Sequence, residues 1–366
     1  MPLCVATARR DRQHYAAGQP RYFDSATLLL LPLEKPPKVA QLYAHNRGRH
    51  FAAALVVAMS AGYATPAAAQ ATRTWVAGTG DDANPCSRTA PCKTFVGAHN
   101  KTAAGGEINC LGSGGFGGIT ITKAISIICE GVVGGVLASG GVSAITVNAG
   151  AADNVYLSGL DILGTSGATS SVRFVAGAAV HIHRSTIRGS TGQGVQFAPT
   201  GASELYITDT VIAMNGTPSA GGGVLVQPQA AGTALVSLRN AMVQNNGNYG
   251  LRIDTNGNTG TFNTVSVYNT EIDGNQNGIS VANPAGTAAV GLMIVRSTIV
   301  GNGYGIAMSG AGVVARVSDT TITGNANGVF AGGGSSLLSF GDNLLEGNPT
   351  AGRPADGAFT GSATKK

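Results

Sequence analysis

Charge and aromatic bulk are both scarce in this chain. Only 11% of its 366 residues are charged and 5% aromatic, with a single tryptophan, Trp75. So little ring volume excludes a core built on large aromatics. With 43% apolar residues and 55 glycines, the composition favours one elongated domain of small aliphatic side chains interrupted by frequent turns. The apparent basicity, net +5 and a pI near 9.0, is not spread along the chain. Residues 1–69 hold 8 Lys+Arg and 3 Asp+Glu, whereas residues 70–366 hold 15 of each. A neutral body lacks the electrostatic footprint that phosphate binding requires, which argues against nucleic acid as a partner.

Long apolar segments are missing as well. The run from Phe51 to Met59 is too short to span a bilayer permanently. It follows Arg47, Arg49 and His50 and precedes Ala67, Ala68 and Ala69, so residues 47–69 read as a signal peptide cleaved after Ala69. Residues 1–46 show no periodicity and read as a non-structural leader or an overextended start. The expectation is a secreted protein, extracellular or periplasmic, with no membrane insertion after cleavage. Of the five cysteines, Cys4 is lost with the leader. Cys86 and Cys92 share a short loop and are expected to pair; Cys110 and Cys129, 19 residues apart, can close a second bridge between neighbouring repeats. Four cysteines allow three connectivities, and no His or Cys pair stands at zinc-finger spacing.

What the chain does have is a repeat. Asn215, Asn246, Asn275, Asn302, Asn325 and Asn348 recur at intervals of 31, 29, 27, 23 and 23 residues. Aligned on their first apolar residue, the repeats start at Val155, Val180, Leu205, Val236, Val265, Leu292, Ala315 and Leu338. The third position is apolar each time (Leu157, Ile182, Ile207, Leu238, Val267, Ile294, Val317, Phe340), and so is the eighth. A third apolar pair follows the asparagine, as at Ile279 and Val281. Short alternating segments rich in Val and Ile, broken by Gly and Asn, read as three brief strands per repeat. No helical periodicity returns the chain, which leaves a coil closing on the next coil. A leucine-rich repeat is disfavoured: it wants leucine where this chain has Thr270, Ser297 and Thr320. The asparagine is expected to take the left-handed conformation of a tight turn and to bond the same amide about 4.8 Å away on the next coil, with Thr165 and Ser190 opening the column.

With its repeats, the opening segment Thr74 to Pro85, then Pro91 to Phe95 and Ala103 to Ile108, the chain resembles right-handed parallel β-helices of the pectin-lyase-like class. The resemblance implies an all-β, single-stranded solenoid over residues 70–348, with a short helix within Thr94 to Ala104 capping the first coil. Residues 349–366, rich in Gly, Ala, Pro and Thr, read as a flexible tail.

The register also sorts the exterior. Residues one and three places after each start point outward. Tyr156, His181 and Tyr206 form one column and Ser158, His183 and Thr208 another, with Arg184 one coil from Asp209. His181, His183, Arg184, Tyr206 and Asp209 are therefore the candidate catalytic residues: histidine for acid–base work, arginine for a carboxylate, tyrosine for a sugar. The competing reading is ordinary ladder packing with exposed ion pairs (Arg184 with Asp209, Arg296 with Asp319) worth at most about 1 kcal/mol. Calcium-dependent lyases and the hydrolases of the class cluster acidic residues. Here Asp161, Asp209, Glu271, Asp273 and Asp319 fall at different positions or distant coils, so neither mechanism carries over. No cofactor is expected; a calcium ion at Asp81 and Asp82 is possible in principle but unsupported, and those two read as turn residues. The sequence points to a polysaccharide-binding, adhesive or structural extracellular scaffold, with a polysaccharide lyase or glycoside hydrolase as the alternative.

Overall fold

The computed structural model describes residues 70–365 apart from 139, 166, 351 and 352. The expected leader and signal peptide lie outside the described residues. Three parallel sheets of 12, 10 and 9 strands wind along one axis; they are called faces 1, 2 and 3 in the order the chain visits them. Asn154–Ser158, Leu160–Gly164 and Ser170–Ala176 make one coil. Ala179–His183, Thr186–Arg188 and Gln193–Phe197 make the next. Each strand pairs in parallel with its counterpart one coil on, Val155 to Val180 to Leu205 and Ile162 to Ile187 to Ile212. The chain is a right-handed parallel β-helix of three strands per coil, as its periodicity predicts.

Alternation is what fills the interior. Val155, Leu157, Val180, Ile182, Leu205 and Ile207 are each no more than 1% exposed and stack on like side chains in the adjoining coils. The last repeat departs from the sequence alignment by one residue. Ala315 pairs with Leu337, not Leu338, so Leu337 is buried, Leu338 lies opposite Arg316 and Phe340 stays out of the core. Two adjacent leucines offer no alternation from which to fix the phase.

The corners explain why the coils turn where they do. Between faces 1 and 2 stands one left-handed residue per coil: Gly159 (φ 71°), Arg184 (44°), Asp209 (51°), Asn240 (51°), Asn269 (47°), Arg296 (51°) and Asp319 (47°). Most are then followed by a buried hydroxyl, Ser185, Thr210, Thr270, Ser297 or Thr320. Ser297 Oγ donates to the carbonyl of Val295 (3.0 Å) and accepts the N–H of Thr270 one coil back (3.3 Å). These positions are a hydroxyl ladder that the sequence reading noticed only as missing leucines.

The asparagine ladder forms between faces 2 and 3, but the asparagines themselves are not left-handed. The preceding residue is: Met214 (φ 55°), Asn245 (53°), Gly274 (61°), Gly301 (67°), Gly324 (64°) and Gly347 (72°). That turn directs the next side chain inward, where Asn275 Nδ2 donates to Asn302 Oδ1 (3.0 Å) and to the Asp273 carbonyl (2.7 Å). Its Oδ1 accepts the backbone N–H and the amide of Asn246 (2.9 and 3.2 Å). At the start, Ser190 donates its N–H to Asn215, whereas the Thr165 hydroxyl turns to the Ala138 carbonyl.

Both ends are closed. The helix Phe95–Lys101 covers the first coil, its N-terminal N–H of Gly97 held by Thr94 Oγ1 (2.9 Å), with Phe95 packed on Phe116. Asp82 accepts from the N–H groups of Lys93 and Thr94 and from the Thr94 hydroxyl, so it braces this cap. Among the described residues no group of three or more His, Cys, Asp or Glu is placed to share a metal ion. At the other end, the segment expected to be a flexible tail makes specific contacts. Asp356 accepts from the last ladder amide, Asn348 (2.8 Å), Gly361–Ser362 adds a strand to face 1, and Phe359 packs on the core. An open coil end exposes unpaired backbone, which these contacts cover. Cys86–Cys92 and Cys110–Cys129 are both disulfide-bonded, the second joining adjacent coils.

Candidate functional site

On face 1, Tyr156, His181 and Tyr206 occupy the same outward position on three successive strands. Strand spacing of about 4.8 Å brings their rings face to face: the His181 ring lies 4.3 Å from Tyr156 and 4.7 Å from Tyr206, with planes within 11° and 9°. The stack is a ridge flanked by two depressions. One, of about 480 Å³, is lined by Ser126, Glu130, Ser158, His183 and Thr208 together with the ring edges. The other, of about 420 Å³, lies across the ridge and is lined by Asn154, Ala179, Glu204, Leu235, Phe262 and Thr264. The two outer ring faces look toward Ser126 and Ser237, small residues that leave them open.

The two histidines differ. His183 is tied at both ring nitrogens, Nε2 to Asp209 Oδ2 at 3.1 Å and Nδ1 to Ser158 Oγ at 3.4 Å. Ser158 donates in turn to Glu130 Oε1 (2.7 Å), and Asn240 donates to Asp209 (3.0 Å). This is a braced polar network. His181 makes no hydrogen bond to the protein among the described residues. Burial between the tyrosines holds its imidazole below the ordinary 6.5, against the opposing pull of Glu204, so it is neutral near pH 7. Tyr206 donates to Glu204 Oε2 (2.6 Å), which raises the phenol above its usual value.

The sequence placed Arg184 against Asp209; the structure places it elsewhere. Arg184 Nη1 reaches Glu130 Oε2 at 3.3 Å, across a coil whose corner is Gly159. A Cβ at Gly159 would come within 2.8 Å of the Cys129 carbonyl oxygen. Glycine leaves no side chain between the arginine and Glu130, so Asp209 is left to His183. The Asn240 and Ser158 hydrogen bonds, with those partners, hold the Asp209 and Glu130 carboxyls below the usual carboxylate range. The other expected pair, Arg296 with Asp319, is present at 3.3 Å.

Glu130 and Glu204 were not singled out from sequence. Glu204 was accessible to the same alternation, two residues before Tyr206. Glu130 precedes the aligned repeats, and only the pairing of Ile125–Ile128 with Asn154–Ser158 reveals which coil it joins.

No protein-family model matches the chain, and no curated protein matches it. Two solved structures are similar in shape. The pectate lyase Pel9A aligns with a TM-score of 0.50 at 15% identity over 74% of this chain and 72% of that one. A rhamnogalacturonan lyase aligns at 0.46 and 13% identity, over 69% and 76%. At such identities the likeness to the pectate lyase is one of fold alone: the chain is a right-handed parallel β-helix. That fold leaves the chemistry of the ridge open, since fold and function separate readily.

Proposed function

We propose that this protein is a secreted polysaccharide-binding scaffold that holds a linear sugar chain along face 1. The observation that carries the reading is the alignment of an open aromatic ridge and the depressions on either side of it with the solenoid axis. A coil rise of about 4.8 Å is close to the length of one pyranose unit, so an extended chain meets an equivalent set of backbone positions at each sugar. Tyrosine edges, hydroxyls and carboxylates then offer both packing and hydrogen bonds. The disulfides fit an oxidising compartment. The pectate lyase of similar fold supports the reading.

A glycan panel assayed by affinity electrophoresis checks the proposal. Retardation by at least one linear polysaccharide is expected, with Tyr156→Ala and Tyr206→Ala each weakening it about 10-fold, or roughly 1.4 kcal/mol. Retardation unchanged in both variants would place the ligand elsewhere. One observation favours catalysis as a second reading: His181 is a neutral imidazole with unbonded nitrogens, the state required of a general base. A lyase or hydrolase would then release new ends from the bound polymer, and His181→Phe would abolish release while retaining binding. No new ends from any polymer that binds would exclude it.

A further inference from the structure

Both depressions contain carboxylates and neither contains a lysine or an arginine. Glu130 lines one side of the ridge and Glu204 the other. Glu204 Oε2 accepts the Tyr206 hydroxyl, and Oε1 has no partner among the described residues. The nearby cations are committed. Arg184 bonds Glu130, Arg188 Nη2 donates to both carboxylate oxygens of Asp161 (3.1 and 2.9 Å), and Arg239 lies over the Tyr268 ring one coil beyond, 5.1 Å from its centroid. His183 faces Asp209. A polyuronate laid along this face would set its carboxylates against Glu130 and Glu204 with no cation free in either lining, and like charges at contact are repelled.

We infer that the groove selects a polysaccharide bearing primary amines, of the 2-amino-2-deoxyhexose type, and rejects polyuronates. The inference rests on the binding reading above and adds the charge of its ligand. An ammonium on the sugar meets the unpartnered Oε1 of Glu204 on one flank and, on the other, the Glu130 carboxyl, whose charge it shares with Arg184, while the pyranose faces and hydroxyls pack on the tyrosine ridge. Long-range attraction by the whole protein does not supply the preference, because residues 70–366 carry 15 basic and 15 acidic groups. The selectivity is local to the lining.

The test uses three oligosaccharides of equal length: β-1,4-linked glucosamine, its fully N-acetylated form, and α-1,4-linked galacturonate. Titration calorimetry at pH 6 and low salt compares them on the intact chain. The glucosamine oligomer is expected to bind at least 10-fold more tightly than the acetylated one and to lose that advantage as salt rises. Galacturonate should give no heat of binding. Glu204→Gln should reduce the preference for glucosamine about 3- to 10-fold and leave the acetylated oligomer unaffected, with Glu130→Gln acting in the same direction. Galacturonate binding as well as glucosamine would overturn the inference, as would a preference that survives both substitutions. Binding of the acetylated oligomer without preference for the amine would also overturn it while leaving the groove as a sugar site. Silence of all three would count against both.

Discussion

The coils from Asn154 to Ala213 and those from Phe262 to Thr323 share one interior and differ almost everywhere outside it. Val155 and Leu157 correspond to Val265 and Val267, all buried, and the left-handed corner at Arg184 and Asp209 recurs at Asn269, Arg296 and Asp319. On the exterior of face 1 the early coils present Tyr156, His181 and Tyr206, whereas the later ones present Ser266, Met293 and Arg316 at the aligned position. The inward positions and the corners therefore make the solenoid, and the outward positions are free to carry chemistry. Of the two, the early region uses that freedom to build an aromatic ridge, with Phe262 and Thr264 of the later one closing one of its flanking grooves.

The comparison predicts equal interiors, and the largest effects test it there. Asn246→Ala, which acts on Asn215 at the edge of the early region, and Asn302→Ala, within the later one, each strip two donors of their acceptor, the neighbouring asparagine's backbone N–H and its amide. Each should cost roughly 4 kcal/mol of unfolding free energy in urea; a large difference between the two would show that the coils are not equivalent inside. Next comes an asymmetry on the N-terminal side of the early region, where adjacent coils are bridged. Replacing Cys110 and Cys129 together by serine opens a loop of 19 residues and should lose about 3 kcal/mol. Thermal unfolding of oxidised and reduced protein, both carrying Cys86→Ser and Cys92→Ser so that only the second bridge responds, checks the same quantity independently.

Smaller effects probe the exterior. Tyr206→Ala removes one stacked partner of His181 and should cost about 1 kcal/mol. Met293→Ala, at the aligned position of the later coils, should change stability by about 0.5 kcal/mol or less. The smallest signature is a pH slope. Because burial holds His181 below 6.5, the unfolded chain takes up a proton that the native state refuses. That contribution is complete above the ordinary value and is lost as pH falls toward the depressed one. His181→Phe, which keeps a ring in the stack, should flatten the unfolding free energy as pH falls below about 6.5; an unchanged slope would assign the dependence to another group.

Why the sequence was readable in some places and not in others follows from the same division. The inward alternation at Val180 and Ile182, and the asparagine repeat, are periodic because every coil must satisfy the same backbone, so the fold and the outward columns could be read directly. Asn275 was recognised as a ladder residue, but the turn belongs to Gly274, since identity alone does not say which of two adjacent turn formers takes the positive φ. At Leu337 and Leu338 the pattern has no phase to read. The partner of Arg184 depended on what is missing at Gly159, and an absent side chain leaves no periodic signal. Glu130 lies before the first aligned repeat, where no preceding coil repeats its position.

The ladder amides all point the same way, each Nδ2 toward the next coil from Asn215 to Asn348. Their dipoles consequently add along the axis, positive end toward the C-terminus, and each polarises its successor. At that end the series meets Asp356, a carboxylate with no proton to pass on. The column thus behaves as a short electrical polymer terminated by its counter-charge. Its polarity gives the last coil a different electrostatic environment from the first, even though the ladder residues from Asn215 to Asn348 are the same.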